Sequence, residues 1–248
     1  MAINIGTTGS AGRFVGGEHI YRSGETLRLY LDPYKYECFT GETTSTIYDL
    51  SYENNDLVLV NGAKDRANGH WDFDGTDDFA YITDANMSDL DVGTSDFTVQ
   101  WWQYLDSDGS MFIMMKGSPS STGYNIYQYN GTMRVRLSGA LINYVNEEDI
   151  SWDGSWMNVA VSVDRGTKSS LYKNGILIQD DYATPGSTSE NVSNYFYIGG
   201  SDNGGNSTTS VSNEVNGRLG PILFYKGIAL SHDAIRQNFN VHRGLYGV

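Results

Sequence analysis

The stretch from Trp71 to Leu105 constrains the fold of this chain more than any other part of the sequence. Its second half alternates apolar and polar residues from Phe97 to Leu105. A period of two places successive side chains on opposite faces of a strand, whereas a helix requires about 3.6 residues per turn. The run therefore predicts a strand with one buried face and one wet face. The buried face would carry Phe97, Val99, Trp101 and Leu105, and the wet face Thr98, Gln100, Trp102 and Tyr104.

Similar alternation recurs along most of the chain. Leu27, Leu29 and Leu31 share one face of a predicted first strand, and the residues from Met157 to Val163 alternate in the same way. Asn130-Gly131 and Asn174-Gly175 lie between such runs. An Asn-Gly pair in this position favours a two-residue hairpin turn, because both residues tolerate positive φ. Pro221 indicates a bulge or an edge position in a late strand. The chain is therefore predicted to be all-β.

One helix is predicted, at the C-terminus. Ser231 is a good N-cap, Ile235 and Phe239 share a face four residues apart, and Gly244 is predicted to follow the last turn.

Composition excludes several classes of function. The 248 residues carry a formal charge of −14, which argues against nucleic acid as a partner because phosphate binding needs clustered Lys and Arg. The sequence contains no apolar run near the roughly 20 residues that a spanning helix needs, so membrane insertion is not expected. The start of the chain lacks a basic, then apolar, secretory signal, which predicts synthesis and folding in a cytoplasm. The single Cys38 is predicted to be a small buried filler.

Several motifs together resemble one known family. The text Phe73-Asp74-Gly75-Thr76-Asp77-Asp78-Phe79, followed by the strand from Phe97, resembles the opening of laminin-G-like, concanavalin A-like domains. The later texts are similar to the second half of the same pattern: Leu171-Tyr172-Lys173-Asn174-Gly175, Tyr197-Ile198-Gly199-Gly200 and Asn216-Gly217-Arg218-Leu219-Gly220. The resemblance covers residues 71–248. It implies a jelly-roll β-sandwich of two antiparallel sheets, with residues 27–248 as the domain.

Residues 1–26 are rich in Gly, Ser and Thr and form a predicted N-terminal arm. Two interpretations stay open: a disordered tail, or an arm that docks on a neighbouring subunit. The C-terminal text from Leu230 to Gly247 resembles the ending of tailed-phage virion proteins that carry this domain. The resemblance implies a virion location, either capsid decoration or a tail or fibre appendage. It also implies other virion proteins as partners, and self-association.

Catalytic machinery is not expected. Some relatives of this fold are glucanases, which align carboxylates on one strand. The segment Glu147-Glu148-Asp149 lacks the required spacing and is predicted to lie in a loop. No G-x-S-x-G motif is present, and His19, His70, His232 and His242 are scattered without a zinc-binding spacing. The chain is therefore predicted not to be an enzyme.

A calcium site is the main candidate for a bound ion. Carboxylates crowd the turns after Phe73, and Asp77 and Asp78 are the first candidates for ligands because hard cations prefer loop oxygens. The alternative is that these turn carboxylates are simply solvated. No cofactor is expected to be required.

Glycan binding would need an aromatic platform beside polar groups. Trp102 and Tyr104 face away from the predicted core, and the loops 117–123, 183–194 and 199–216 are candidates for a rim. Trp102 and Tyr104 would be either exposed or covered by the arm or a neighbouring subunit. The predicted function is a lectin-like domain displayed on a virion for host-surface glycans. The alternative is a free carbohydrate-binding module or a degenerate glycoside hydrolase.

Overall fold

The computed structural model of the chain describes residues 19–22, 26–38, 45–61, 63–65, 68–137, 140–143, 151–181, 188–202 and 205–248. These residues form one α-helix, α1 (His232–Tyr246), and short 3-10 helices at Tyr36–Cys38 and Asp84–Asn86. All other regular elements are strands: β1 (Leu27–Leu31), β2 (Thr46–Ile47), β3 (Leu57–Val60), β4 (Ala63–Asp65), β5 (His70–Asp74), β6 (Phe79–Ile82), β7 (Phe97–Leu105), β8 (Met111–Gly117), β9 (Gly123–Tyr129), β10 (Thr132–Leu137), β11 (Ala140–Asn143), β12 (Met157–Asp164), β13 (Lys168–Lys173), β14 (Ile176–Asp181), β15 (Phe196–Ile198) and β16 (Asn216–Lys226). No described helix has the length and apolar content needed to cross a membrane.

The described strands form two sheets of eight strands each, and neighbouring strands within each sheet pair in the antiparallel direction. The first sheet has the order β14-β13-β12-β7-β16-β5-β4, with β1 also paired to β16. The second sheet has the order β11-β10-β9-β8-β15-β6-β3-β2. Neighbours far apart in sequence, such as β7 beside β16, are typical of jelly rolls. The predicted all-β fold with two antiparallel sheets is confirmed.

The main core lies between the two sheets. Phe97, Val99 and Trp101 of β7 are fully buried there, together with Val159 and Val161 of β12. The second sheet contributes side chains such as those of Tyr124, Ile126, Val135 and Phe196. Each large apolar side chain buried in this way stabilises the fold by about 1.5–3 kcal/mol. The inward faces predicted for β7 and β12 are confirmed.

Both predicted Asn-Gly hairpins are present. Asn130 and Gly131 connect β9 to β10 with φ of 47° and 71°, and Asn174 and Gly175 connect β13 to β14 with φ of 51° and 73°. Two successive residues at positive φ match the right-handed twist of the flanking strands.

Strand β1 contains a bulge that the alternation did not predict. Its register against β16 shifts between Leu27 and Leu29. Leu29 and Leu31 therefore join the main core, whereas Leu27 packs on the opposite face of the sheet. The prediction that all three leucines share one face was wrong, because the extra residue of a bulge reverses the alternation. Cys38 is fully buried as predicted, and burial raises the pKa of its thiol well above the usual range.

Helix α1 begins as predicted but ends later. The Ser231 hydroxyl accepts a hydrogen bond from the Ala234 N–H at 3.4 Å, which is the expected N-cap contact. Gly244 lies inside the helix, and the residue that ends it is Gly247, in a left-handed conformation with φ of 69°. The prediction of a stop at Gly244 was wrong because a second glycine, three residues later, provides the cap.

The outer face of the first sheet is covered, and it is not the wet face that the alternation suggested. Helix α1 lies across it and buries Gln100 and Trp102, and the segment just before the helix covers Thr98 through hydrogen bonds with Ile228 and Leu230. The polar groups beneath the helix are paired: Gln100 donates to Asn158 at 2.7 Å, and Asn238 of α1 donates to Gln100 at 2.9 Å. Period-two alternation reports two distinct faces, but a polar face can be buried when its hydrogen bonds are satisfied.

Residues 19–22, which the sequence analysis assigned to the arm, pack on the same face. Ile20 is buried against the cluster beneath α1. The Tyr21 N–H donates to Asn238 Oδ1 at 2.6 Å, and the Tyr225 hydroxyl donates to the Tyr21 carbonyl at 2.9 Å. These four residues contact their own chain. The remainder of the predicted arm, 1–18 and 23–25, lies outside the described residues.

Candidate functional site

A row of partly exposed side chains crosses the outer face of the first sheet beyond the end of α1. Arg218 of β16 pairs with Tyr104 of β7 on one side and with Asp72 of β5 on the other. Trp156 precedes β12 and lies beside Tyr104, in an edge-on contact with 6.0 Å between ring centroids. We call Asp72, Arg218, Tyr104 and Trp156 the outer row.

Charged groups within the outer row are linked to one another. Arg218 Nε lies 3.2 Å from Asp72 Oδ1, and Arg218 Nη1 lies 3.8 Å from Asp106 Oδ1. The Arg218 guanidinium also lies over the Tyr104 ring, 4.7 Å from its centroid. Asp72 Oδ2 is 3.3 Å from Nε2 of His70. The side chains of Asp72 and Arg218 are both 35% exposed, so part of each reaches solvent.

The aromatic part of the row is held rigidly by the last turn of α1. Tyr246 lies 4.5 Å from Trp102 and 4.4 Å from Trp156, measured between ring centroids. Its hydroxyl donates to the Gly69 carbonyl at 2.6 Å. Such contacts fix ring orientations, and a rigid aromatic surface loses little conformational entropy when a ligand binds. Trp102 stacks on Tyr246 and Phe239 and is itself 1% exposed.

An acidic cluster lies next to the row, at the end of β5. Carboxylate oxygens of Asp74, Asp77 and Asp78 all lie within 4.8 Å of one another. The Asp74 N–H donates to Asp78 Oδ2 at 3.0 Å, and the Thr76 N–H donates to Asp74 Oδ1 at 2.8 Å. The turn Asp74-Gly75-Thr76 therefore folds the carboxylates together, and the structure brings together the two residues predicted from sequence, Asp77 and Asp78.

Negative charge in this cluster is poorly compensated. Burial raises the pKa of Asp78, and the neighbouring carboxylates Asp74, Asp77 and Asp72 raise it further, against the one backbone hydrogen bond that lowers it. Three convergent carboxylates, one of them the buried Asp78 with its raised pKa, have the chemistry that suits a hard divalent cation. These residues therefore fit Ca²⁺, with Asp74 added to the two predicted candidates.

The acidic cluster and the outer row occupy the same side of β5. Trp71 and Phe73 point into the core, so His70, Asp72 and Asp74 share the outer face. Asp72 belongs to the row and Asp74 to the cluster, two residues apart along one strand. An ion or ligand at either place would meet the negative charge of the other.

Sequence reasoning found one member of the outer row, Tyr104. Trp156, Arg218 and Asp72 were missed because only the strand order β12-β7-β16-β5 places them beside it. The candidate carboxylates Glu147-Glu148-Asp149 lie outside the described residues.

A second aromatic group, on the outer face of the second sheet, is more enclosed. Phe112, Tyr127 and Tyr197 are buried there, and Val211 packs against them. The Tyr197 hydroxyl donates to the Ser207 carbonyl at 2.9 Å. The segment that contains Ser207 and Val211, part of the predicted rim loop 199–216, therefore folds over these rings.

Another convergence of oxygens is already filled by a side chain. The buried Lys116 ammonium lies 3.1 Å from Asp84 Oδ1 and 3.2 Å from Asp91 Oδ1. It also donates to the carbonyls of Val192 at 2.5 Å and Asn194 at 2.9 Å. The lysine thus joins the loop of Asp84 and Asp91 to the loop of Val192 and Asn194, as a metal ion would. Residues 188–194 of the predicted rim therefore pack on Lys116.

Solved structures of low sequence identity share the fold. The binding domain of Paraclostridial Mosquitocidal Protein 1 superposes with a TM-score of 0.63 at 15% identity, over 90% of this chain and 55% of that chain. The botulinum neurotoxin serotype D binding domain gives 0.61 at 11% identity, over 87% and 52%. The ligand-binding domain of the same serotype, in complex with N-acetylneuraminic acid, gives 0.60 at 10%, over 87% and 51%. The chain spans about half the length of these structures, and the likeness shows the fold alone.

Among curated proteins, no significant sequence relative was found. The family profile of the concanavalin A-like lectin/glucanases superfamily matches residues 73–236. This range contains the acidic cluster and every member of the outer row except Asp72, and it confirms the resemblance seen in the Phe73–Phe79 text. Because the match covers well over half of its length, the chain belongs to the concanavalin A-like lectin/glucanases superfamily.

Proposed function

We propose that the chain is a non-enzymatic, lectin-like module that binds glycans at the outer row. The observation that carries this proposal is the partly exposed Tyr104–Trp156 pair in line with the Arg218–Asp72 ion pair. An aromatic face attracts the weakly positive C–H edge of a sugar ring. A carboxylate and a guanidinium beside it accept from and donate to sugar hydroxyls, which fixes orientation.

A binding role suits this site better than hydrolysis. Glycosidases need one carboxylic acid and one carboxylate placed on either side of the scissile bond. Asp72 of the outer row and the neighbouring Asp106 both contact the Arg218 guanidinium, so each carboxylate is already engaged in an ion pair.

The binding proposal is tested by a glycan array followed by titration calorimetry with Trp156→Ala. We expect the variant to lose at least about tenfold in affinity, or about 1.4 kcal/mol, because the platform is removed. Tyr129→Ala is the matched control, since it removes a 42% exposed aromatic ring from the other sheet. Arg218→Met provides a second variant that leaves the Trp156–Tyr246 packing in place.

The result that contradicts the proposal is equally specific. If folded Trp156→Ala and Arg218→Met bind the array's best glycan as tightly as the unaltered protein, the outer row is not the site. If Tyr129→Ala alone loses binding, the second sheet carries it. Hydrolysis of a bound oligosaccharide by the purified protein would support the alternative of a glycoside hydrolase.

We propose a tailed-phage virion as the setting, as a capsid decoration or a tail or fibre appendage. The support is the C-terminal text Gln237-Asn238-Phe239-Asn240 with Arg243-Gly244-Leu245-Tyr246-Gly247, which resembles virion proteins with this domain. Within that setting the module would adhere to host-surface glycans. The test is immunogold labelling of purified particles, and absence of label from particles that contain all other structural proteins would leave the free carbohydrate-binding module as the better proposal.

We propose Ca²⁺ as the ion that Asp74, Asp77 and Asp78 would hold. The support is the convergence of their carboxylates and the raised pKa of Asp78. A bound cation would neutralise charge beside the outer row and stiffen the β5–β6 turn.

A further inference from the structure

The guanidinium of the outer row is already engaged by carboxylates. Arg218 contacts Asp72 and Asp106 through different nitrogen atoms, at 3.2 and 3.8 Å. The imidazole of His70 also faces Asp72, at 3.3 Å. An incoming sugar carboxylate would therefore meet a guanidinium whose positive charge already faces two protein carboxylates, and it would be repelled by both of them.

The surroundings of the row are acidic. Two carboxylates oppose one guanidinium within the site, and Asp74 continues the same face of β5 into the acidic cluster. The whole chain has a formal charge of −14. Clustered charges of one sign repel a like-charged ligand both at long range and on contact.

A neutral sugar meets none of this repulsion. Its hydroxyls can donate to the exposed oxygens of Asp72 and Asp106 and accept from Arg218 while the ion pairs stay in place. Its C–H face can rest on Trp156 or Tyr104. The same groups that repel an acidic sugar therefore bind an uncharged one.

We propose that the outer row selects neutral hexose or N-acetylhexosamine residues and discriminates against sialic and uronic acids. This inference rests on the proposed glycan-binding function and adds the class of sugar. It separates this site from a sialic-acid site, in which an unpaired cation would meet the sugar carboxylate.

The test uses matched pairs of glycans that share a core and differ by one acidic residue, such as lactose-terminated and sialyllactose-terminated probes. We expect the neutral probe to bind at least about tenfold more tightly at low salt, and the ratio to shrink as salt screens the charges. Asp106→Asn should reduce the ratio of neutral-probe to acidic-probe affinity, because it removes one carboxylate and leaves the Arg218–Asp72 pair. Asp233→Asn, on an 88% exposed helix side chain, is the control and should leave the ratio unchanged.

The outcomes separate the two proposals. The neutral-sugar inference is overturned if the acidic probe binds as tightly as the neutral probe or more tightly. If Trp156→Ala abolishes binding of both probes in that case, the outer row is still the glycan site. Binding of neither class by the folded protein, with and without calcium, overturns both. An unchanged ratio in Asp106→Asn would show that charge at the row does not cause the selection.

Discussion

At the scale of single residues, two buried aspartates show how environment decides the role of a carboxylate. Asp32 is buried, which raises its pKa, but hydrogen bonds from His242 at 3.2 Å and Tyr30 at 2.8 Å outweigh burial and lower the pKa overall. Asp78 is also buried, and its nearest charged neighbours are Asp74 and Asp77. The hydrogen bonds that stabilise the negative charge of Asp32 fit a structural role. The negative charge of Asp78 lies beside two further carboxylates, which fits a residue that binds a cation.

The raised pKa of Asp78 predicts a specific dependence of stability on pH. A carboxyl whose pKa is higher in the folded than in the unfolded state binds more protons when folded, so its contribution to stability falls as pH rises through the folded pKa. We expect Asp78→Asn to unfold at higher urea concentration than the unaltered protein at pH 7 without calcium. The difference should vanish below the unfolded pKa of about 4.

Calcium and Asp32 provide the controls for this experiment. Calcium should stabilise the unaltered protein, by about 2.7 kcal/mol at a hundredfold excess over Kd, and should stabilise Asp78→Asn much less. Asp32→Asn should behave oppositely, because a lowered pKa contributes stability above the unfolded pKa that is lost as pH falls through the folded pKa. Asp78→Asn that is less stable than the unaltered protein at pH 7 without calcium would contradict this account.

Residue-level predictions from sequence succeed where neighbours in the chain decide the outcome. Asp77 and Asp78 lie in one tight turn, so their proximity follows from the Asp-Gly-Thr text. Tyr104 follows from strict alternation along β7. Arg218 is more than a hundred residues from Tyr104 in sequence, and no local pattern states that β16 pairs with β7.

At the scale of elements, helix α1 docks on the sheet through a close backbone approach. A Cβ at Gly220 would lie 2.4 Å from the Tyr246 hydroxyl and 2.9 Å from Trp102 Cβ. Gly220 lies at the bulge where the register of β16 against β7 shifts, beside Pro221. The predicted irregularity at Pro221 is therefore present, in a strand that pairs on both sides, and it is where the helix end is seated.

Two glycine substitutions test this docking in opposite directions. Gly220→Ala should destabilise the protein by about 1–3 kcal/mol, because buried aromatic rings must move to admit the methyl group. Gly244→Ala should stabilise it by about 0.5–1 kcal/mol, since Gly244 is helical and a Cβ there meets nothing within 4 Å. Thermal unfolding measures both, and Trp fluorescence reports movement near Trp102 and Trp156. Equal effects of the two alanines would contradict the docking described here.

Lys116 makes a separate prediction about the loops that it joins. Lys116→Met keeps the buried stem but leaves two carboxylates and two carbonyls without the ammonium, at a cost of about 2–4 kcal/mol. The control is Lys168→Met, which removes a more exposed pair with Asp180 and should cost at most about 1 kcal/mol. Hydrogen exchange should accelerate in residues 84–91 and 188–194 of Lys116→Met alone. No change there would show that the lysine does not hold these loops.

The two faces of β7 were predictable from the sequence, but what covers its outer face was not. Alternation correctly separated Val99 from Gln100, because side-chain direction is a local property of a strand. It could not show that α1 covers Gln100, since that depends on where a distant helix packs. The bulge in β1 could not be predicted for a related reason, because the register of Leu27 is set by its distant partner Tyr225.

At the scale of the whole molecule, the N-terminal segment connects the fold to the proposed assembly. Residues 19–22 pack against α1 and β16 of their own chain, through Ile20 and the backbone of Tyr21. Gln237 of α1 also donates to the His19 carbonyl at 2.7 Å. A deletion of residues 1–26 would therefore remove part of the domain along with the preceding arm. The packing role of residues 19–22 and the proposed assembly role of the arm need separate deletions.

The assembly role of the arm is tested by comparing full-length protein with variants lacking residues 1–18 or 1–26, by light scattering at several concentrations. If the arm docks on a neighbouring subunit, full-length protein is an oligomer, and removal of 1–18 yields a monomer with unchanged thermal stability. Removal of 1–26 should yield a monomer of lower stability, because Ile20 and the Tyr21 hydrogen bonds are lost as well. Monomers in all three cases would contradict the assembly arm and favour a stand-alone glycan-binding module. An oligomer that survives both deletions would place self-association on the sandwich itself, where the exposed Ile176 and Leu177 of the edge strand β14 would be the next residues to alter.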